Sequence, residues 1–377
     1  MQRIALTPRS DWQARVGSVG MHYHSPGGEI YWDESACYCF TRSQIDLLDD
    51  VTHELHQLCL SAVDHIIRRN GFAKLHIPQW AVPYIIQSWE QQEPSLYGRF
   101  DLAWNGTGTP KLLEYNADTP TALLEASVVQ WFWLQECFPQ ADQFNSIHEK
   151  LLSFWANYRH RHPALHFASM DGSDEDFGNV EYLRDTALQA GLQTWHLPIP
   201  QIGWDKRQQR FVDEQLQVIS ALFKLYPWEW LLQDEFSRYL PSANLTLLEP
   251  AWKLLLSSKG ILPMLWELFP DHPNLLAASF GDQPLLGAYV RKPLYSREGA
   301  NIEIRRGASV VETTGSYGAE GYIYQQYTPL TAFAGHYPVI GSWVIANQAA
   351  GIGIREDTSE ITGNNSRFIP HYFVEDN

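Results

Sequence analysis

Two short stretches carry ligand atoms at alternate positions: Arg99-Phe100-Asp101 and Glu114-Tyr115-Asn116. Alternate residues of a strand share a face, so Arg99 and Asp101 point one way and Phe100 the other, while Glu114 and Asn116 oppose Tyr115. The runs YGRFDLAW and KLLEYN flank the turn-rich NGTGTP, which predicts a hairpin. Closed symmetrically around residues 105–110, that hairpin sets Asp101 opposite Glu114, Arg99 opposite Asn116 and Phe100 opposite Tyr115. Two carboxylates face to face destabilise a strand pair unless something positive compensates. A hard cation such as Mg²⁺ would do so, since it takes carboxylate and amide oxygens and keeps positions for water and phosphate. Asp101, Glu114 and Asn116 supply such oxygens, leaving Arg99 for an anionic oxygen of a reactant. The alternative is an ordinary charged hairpin face, and a slip of one residue would send the carboxylates to opposite faces.

A second set of residues lies far along the chain. Lys259 follows a serine pair in KLLLSSKGILPMLWELF, and Lys292 ends an apolar strand in GAYVRKPLY, just before Ser296-Arg297-Glu298-Gly299. A lysine at a strand end before a flexible loop can cover nucleotide phosphates. Neither stretch has the spacing of a P-loop or of a dinucleotide-binding glycine motif. Gln325 and Gln326 end an alternating strand, where an amide pair could read an adenine edge, and Arg355 in GIGIRED could approach a phosphate. Taken singly, these residues read equally as a solvated helix, hairpin rims and a surface arginine beside Glu356.

The elements that must position them follow from the wider pattern. A chain of 377 residues, 45% hydrophobic, can bury a large core, and its 15 Trp, 18 Tyr and 17 Phe read chiefly as core and interface. The formal charge of −16 argues against nucleic acid or an anionic membrane as partner. No signal-peptide core or membrane-length apolar run occurs, so a cytoplasmic location is expected. Cys37, Cys39, Cys59 and Cys137 lack zinc or disulfide spacing and read as reduced thiols. HELH at 53–56 lacks HExxH spacing and reads as a solvated helix face.

Residues 1–45 read as irregular, and a long amphipathic helix from Thr41 stops at Asn70-Gly71. ALLEASVVQWFWLQECF reads as a buried helix. The strand ALHFASM, the acidic loop DGSDED, the helix NVEYLRDTALQAG and TWHLPI suggest a β-α-β unit. FVDEQLQVISALFKLYPWEWLL reads as a strand or turn and then helix, and residues 252–276 continue helical. The last third reads as antiparallel strands. The whole is expected to be one α/β (α+β) unit over 1–377, with subdomains near 1–150, 151–250 and 251–377.

As a set, RFD at 99–101, LLEYNADTPT at 112–121, WKLLLSSKGILPMLW at 252–266, YVRKPLYSREGANI at 289–302, YIYQQ at 322–326 and GIGIRED at 351–357 resemble the synthetase domain of glutathionylspermidine synthetases. The resemblance spans nearly the whole chain and implies an ATP-grasp fold of mixed and antiparallel sheets with the nucleotide held between subdomains. It implies ATP and Mg²⁺, two ions, with metal ligands at Asp101, Glu114 and Asn116. Arg99 then matches the arginine at the reacting centre, Lys259 and Lys292 the phosphate lysines, Arg297 the loop near substrate and phosphate, and Arg355 the arginine at the nucleotide. Gln325-Gln326 falls where adenine is held. Thr119 and Thr121 stand where serines are expected in the glutathione-binding enzymes, and Glu175 looks like the peptide-binding glutamate, with Asp174 and Asp176 close rivals. No amidase domain is expected.

The implied activity is an acid–amine ligase: ATP phosphorylates a carboxylate, and an amine displaces phosphate to form an amide. The substrates would be a small-molecule or peptide carboxylate and an amine, with glutathione and spermidine as one pair. Two other functions fit parts of the sequence: an ATP-binding or ATP-hydrolysing protein without ligation, and an aromatic-rich carbohydrate-binding enzyme.

Overall fold

The computed structural model describes residues 1–281, 287–364 and 366–376. The hairpin forms from Tyr97–Ala103 and Lys111–Asn116, with Arg99 opposite Asn116, Phe100 opposite Tyr115 and Asp101 opposite Glu114, the register expected. Phe100 and Tyr115 stack behind the polar face with ring centroids 4.0 Å apart. Towards the turn the pairing departs from symmetry: Leu102 faces Leu112, so Leu113 bulges out of the ladder.

The hairpin is one side of a five-stranded antiparallel sheet. Tyr97–Ala103 pairs with Tyr337–Ile345, which pairs with Gln348–Asp357 and then Arg367–Ile369. Thus the C-terminal strands complete the sheet begun by residues 97–116, and one sheet draws on both outer thirds of the chain. The helix Arg42–Arg69 lies against it, started by a Thr41–Gln44 capping box and ended by Asn70 in the left-handed conformation. Its buried face runs Ile45, Leu48, Val51, Leu55, Cys59, Ala62, Val63 and Ile66, the helical spacing that lets one stripe bury. His56 also lies on this face, contrary to the solvated expectation. It is 1% exposed and bonds Asn347 Oδ1 through Nε2 at 3.1 Å, and burial lowers its pKa to about 4.

The second layer is a parallel sheet ordered Thr246–Leu248, Ala221–Leu225, Ala164–Ser169, Gln193–Pro198. The helix Asp174–Gln189 joins its last two strands as the expected β-α-β unit. Two local readings need correction. Asp174, Glu175 and Asp176 form the first turn of that helix rather than a loop, because Ser173 caps it by accepting from the Asp176 amide at 3.1 Å. ALFKL is a strand rather than a helix. It is buried along its whole length, and a fully buried parallel strand has no alternation to distinguish it from a buried helix.

The third layer is a small antiparallel sheet ordered Ala278–Phe280, Tyr322–Gln326, Tyr289–Pro293, Glu303–Arg306, Ser309–Glu312. Residues 1–45 are less irregular than expected: Gln2–Ala5 and Ala36–Thr41 form a sheet with His371–Val374, and Trp12–Ser18 is helical. The expected buried helix is a turn of π-helix at Glu125–Val129 running into Gln130–Cys137, with Trp131 and Phe132 on its exposed side. Residues 252–276 hold short helices at Leu254–Ser257 and Ile261–Leu268. Trp32, Trp133, Trp155, Trp228 and Trp343 are fully buried, as the core reading requires. Among the described residues no helix is long and apolar enough to cross a membrane, and all four cysteines are free.

Candidate active site

The three layers meet around a cavity of about 320 Å³. The hairpin supplies Arg99, Asp101, Glu114 and Asn116, and the small sheet supplies Lys292 and Gln325. The ends of the parallel strands contribute Met170 and Leu225, the edge at which open α/β sheets hold ligands. Lys259, Arg297, Arg355, Gln326, Thr119 and Thr121 also line it, so residues scattered over more than 250 positions converge.

On the hairpin, the carboxylates are bridged by an amide. Asn116 Nδ2 lies 3.1 Å from Asp101 Oδ2 and 3.1 Å from Glu114 Oε1. Arg99 donates to Asp101 from Nε at 2.7 Å and from Nη2 at 3.1 Å, and from Nη1 to the Thr121 carbonyl at 2.7 Å. Its guanidinium also lies over the Trp343 ring, 5.7 Å from the centroid. Lys259 Nζ reaches Glu114 Oε2 at 3.0 Å and the Ser296 carbonyl at 2.8 Å. The two carboxylates are therefore offset by the protein's own cations. Burial raises the Asp101 pKa, with Arg99 opposing. Burial would also raise Glu114, but Lys259 and Lys292 outweigh it and hold that carboxyl well below its usual range.

The bulge has a direct use. With Leu113 out of the ladder, its carbonyl accepts from Lys292 Nζ at 2.8 Å. Lys292 also donates to Gln325 Oε1 at 2.7 Å, while Gln325 Nε2 donates to the Leu112 carbonyl at 2.9 Å. Each end of the Gln325 amide thus has one protein partner, its oxygen on Lys292 and its nitrogen on the Leu112 carbonyl. Gln326, next along the strand, is exposed and also borders the cavity.

Arg297 projects from the loop between two strands of the small sheet. It donates to Thr119 Oγ1 at 2.8 Å and to Glu229 Oε1 at 2.6 Å. Arg355 gives Nη2 to the carbonyls of Gly363, Asn364 and Ser366, at 2.8, 3.2 and 3.2 Å. Its Nε is buried without a partner. Thr121 borders the cavity and meets Arg99 through its carbonyl. Glu175 is not among the lining residues, whereas Asp176, one position along the helix, is. Burial, Glu175 and Glu298 raise the Asp176 pKa to about 6.

Asp118 turns away from the cavity. It is 1% exposed, accepts from Lys224 Nζ at 2.7 Å and from the Trp228 amide at 2.8 Å, and so ties the end of the hairpin strand to the parallel sheet. Removing one partner of a buried pair strands the other charge. Lys224→Met is expected to cost about 3–5 kcal/mol in urea unfolding, with Lys224→Met/Asp118→Asn recovering part of it; a loss below about 1 kcal/mol would show that Asp118 is not held this way.

A metal fits the hairpin by its donor chemistry. Two carboxylates and one amide converge where a single nitrogen touches both acids, and a half-turn of the Asn116 amide exchanges its nitrogen for its oxygen. No group of three or more His, Cys, Asp or Glu side chains forms a metal cluster among the described residues, so Asn116 is what completes this donor set.

The family model described as glutathionylspermidine synthase preATP-grasp matches residues 3–374. The chain belongs to the glutathionylspermidine synthase family. It is 43% identical to a Haemophilus influenzae protein named "Putative acid–amine ligase", over 99% of this chain and 100% of that one. It is 29% identical to the trypanothione synthetase of Crithidia fasciculata, over 84% of this chain and 53% of that one. It is 26% identical to the bifunctional glutathionylspermidine synthetase/amidase of Escherichia coli, over 91% of this chain and 60% of that one. The chain thus spans all of the first relative but little more than half of the other two. A solved glutathione synthetase-like effector from Globodera pallida, in apo form, superposes with a TM-score of 0.55 at 10% identity, covering 98% of each chain. That likeness is one of fold, and it meets the expected ATP-grasp-like α/β class.

Several residues at or beside the cavity escaped the reading of the sequence: Trp230, Glu360 and Tyr327 on its wall, and Glu229 just behind. Glu229 and Trp230 follow the strand Ala221–Leu225, so recognising that strand would have pointed to the turn after it.

Proposed function

We propose that the chain is an ATP- and Mg²⁺-dependent acid–amine ligase that forms an amide through an acyl phosphate. The observation carrying this reading is the convergence of Arg99, Lys259, Lys292 and Arg297 around the paired hairpin carboxylates in one cavity. Asp101, Glu114 and Asn116 would hold Mg²⁺, two ions by family expectation, which supplies charge neutralisation to the phosphates when bound. Lys259 and Lys292 hold phosphate oxygens of ATP, and the nucleotide lies between the small sheet and the central sheet. The strand end at Gln325-Gln326 borders the adenine, with Gln325 acting through Lys292, and Arg355 lies at the nucleotide.

The acid substrate's carboxylate oxygen attacks the γ-phosphorus, and the bond to the bridging oxygen breaks to leave ADP. Arg99 and Arg297 stabilise the charge that spreads over the transferring group. The neutral amine then attacks the acyl carbon, a tetrahedral intermediate forms, phosphate leaves and the amine's proton is lost. Asp176, with its pKa raised to about 6, is placed to hold the ammonium form or take that proton. Thr119 and Thr121 border the acid substrate, a peptide-like carboxylate such as glutathione, and the amine is a polyamine such as spermidine.

The test is ADP release by the full chain with MgATP and a panel of acids and amines that includes glutathione and spermidine. Release that needs both an acid and an amine, together with the amide mass, is the expected result. Release indifferent to every acid and amine, with no amide formed, would overturn ligation and leave ATP hydrolysis.

A further inference from the structure

Glu229 lies in a turn that is itself tied to the buried core. The Trp228 amide donates to the buried Asp118 at 2.8 Å, and Trp228 Nε1 donates to the Glu249 carbonyl at 3.1 Å. The turn therefore offers a fixed carboxylate, with a side chain only 10% exposed. Arg297 comes from a different layer, on a loop where Glu298, Gly299 and Asn301 take positive φ values of 52°, 68° and 55°. Such a backbone is costly for Glu298 and Asn301 and persists where contacts hold it.

A single guanidinium joins three walls of the cavity. It comes from the loop, donates to Glu229 at 2.6 Å on the parallel-sheet side and to Thr119 at 2.8 Å on the hairpin side, and lies 5.8 Å from the Trp230 ring centroid. The ion pair is charge-assisted and partly shielded from water, so it is worth more than a surface pair. The contact with Thr119 has a further consequence. A hydroxyl that accepts from Arg297 keeps its own hydrogen for another acceptor, and Thr119 borders the cavity.

We propose that Glu229 is a positioning residue that fixes Arg297, so that the loop Leu294–Asn301 stays closed and the Thr119 hydroxyl is turned to donate to an oxygen of the acid substrate. The second half of this assignment rests on the ligase reading; the first half does not. Glu229 touches no reactant itself. It acts by setting the direction of the guanidinium, and through it the direction of a neutral donor that an anionic carboxylate would accept.

The loop half is tested on the ligand-free full chain by amide hydrogen exchange over residues 294–301. Glu229→Gln is expected to speed exchange there about tenfold, Arg297→Met to do the same, and the double variant to add nothing further. Glu229→Asp should restore part of the protection. Additive effects, unchanged exchange, or faster exchange in 226–232 as well would overturn the assignment, since a structural role for Glu229 would loosen its own turn. The substrate half is tested by calorimetry with glutathione as the probe. Glu229→Gln should weaken glutathione about tenfold and leave MgATP within about twofold, and equal weakening of both would overturn it. If the parent chain binds no glutathione while the exchange cycle is non-additive, the substrate reading falls and the latch stands.

Discussion

Asp101→Asn and Glu114→Gln are each expected to lower MgATP turnover by about two to three orders of magnitude while the chain stays folded. Each replacement keeps the side-chain shape and removes one anionic oxygen ligand from a set that holds only the other carboxylate and Asn116 besides. Their effects on stability should run in opposite directions. Burial raises the Asp101 pKa, so its charge is disfavoured in the folded chain, and the neutral amide relieves that penalty. Arg99 keeps two of its supports in that variant, the Thr121 carbonyl at 2.7 Å and the face of Trp343. Glu114 is the converse case. Its pKa is held low by Lys259 and Lys292, so its ionised form stabilises the fold above the ordinary carboxylate range, and that contribution is lost as pH falls through its folded value. Glu114→Gln leaves the two lysines without their shared counter-ion and should lower the unfolding midpoint, whereas Asp101→Asn should leave it level or raise it. Turnover near normal in both variants would refute the metal assignment. Loss of turnover together with collapse of the fold in both would reduce the hairpin to a structural element.

The polar face of the hairpin was legible because a strand has period two, and the stretch from Arg99 to Asp101 against Glu114 to Asn116 allows one register that stacks Phe100 on Tyr115. The bulge at Leu113 was not, since nothing local marks it; it becomes intelligible only once Lys292, 179 residues away, is seen to use the freed carbonyl. Gln325 shows the same limit. With Gln326 it was read as an amide pair that could meet an adenine edge, whereas the two ends of its own amide are held by Lys292 and the Leu112 carbonyl, partners that sequence spacing does not reveal. The burial of Asp118 was not legible, because the lysine that neutralises it lies on a strand read as helix. The cap on the helix at Asp174–Gln189 sets which of Glu175 and Asp176 borders the cavity. Once Ser173 starts the helix, the residues are about 100° apart around its axis, and Asp176 faces the cavity.

Lys292→Met is expected to weaken MgATP binding by about thirtyfold to a hundredfold, the worth of one charge-assisted contact to phosphate in a water-poor site. The pH dependence makes the test specific. Lys292 is 7% exposed, and burial lowers its pKa to about 8, with Glu114 pulling upwards and Lys259 downwards. A bound polyphosphate favours the charged ammonium, so affinity should be full below about pH 8 and fall as pH rises through that value, by up to tenfold per unit. Folding has the opposite sign. The unfolded chain holds this proton up to the ordinary lysine range, above the folded value, so the ligand-free protein gains stability from this group as pH rises from about 8 towards that range. Nucleotide affinity and apo stability should therefore move in opposite directions over one window, and Lys292→Met should flatten both. Lys292→Arg keeps a charge that does not titrate there, so it should remove the pH dependence while recovering part of the affinity. Calorimetry across pH 7–10 decides the matter: unchanged affinity in Lys292→Met would end the phosphate role. A pH slope that survived in Lys292→Met would place the titrating group elsewhere, and the anchors at Leu113 and Gln325 would then serve packing rather than nucleotide binding.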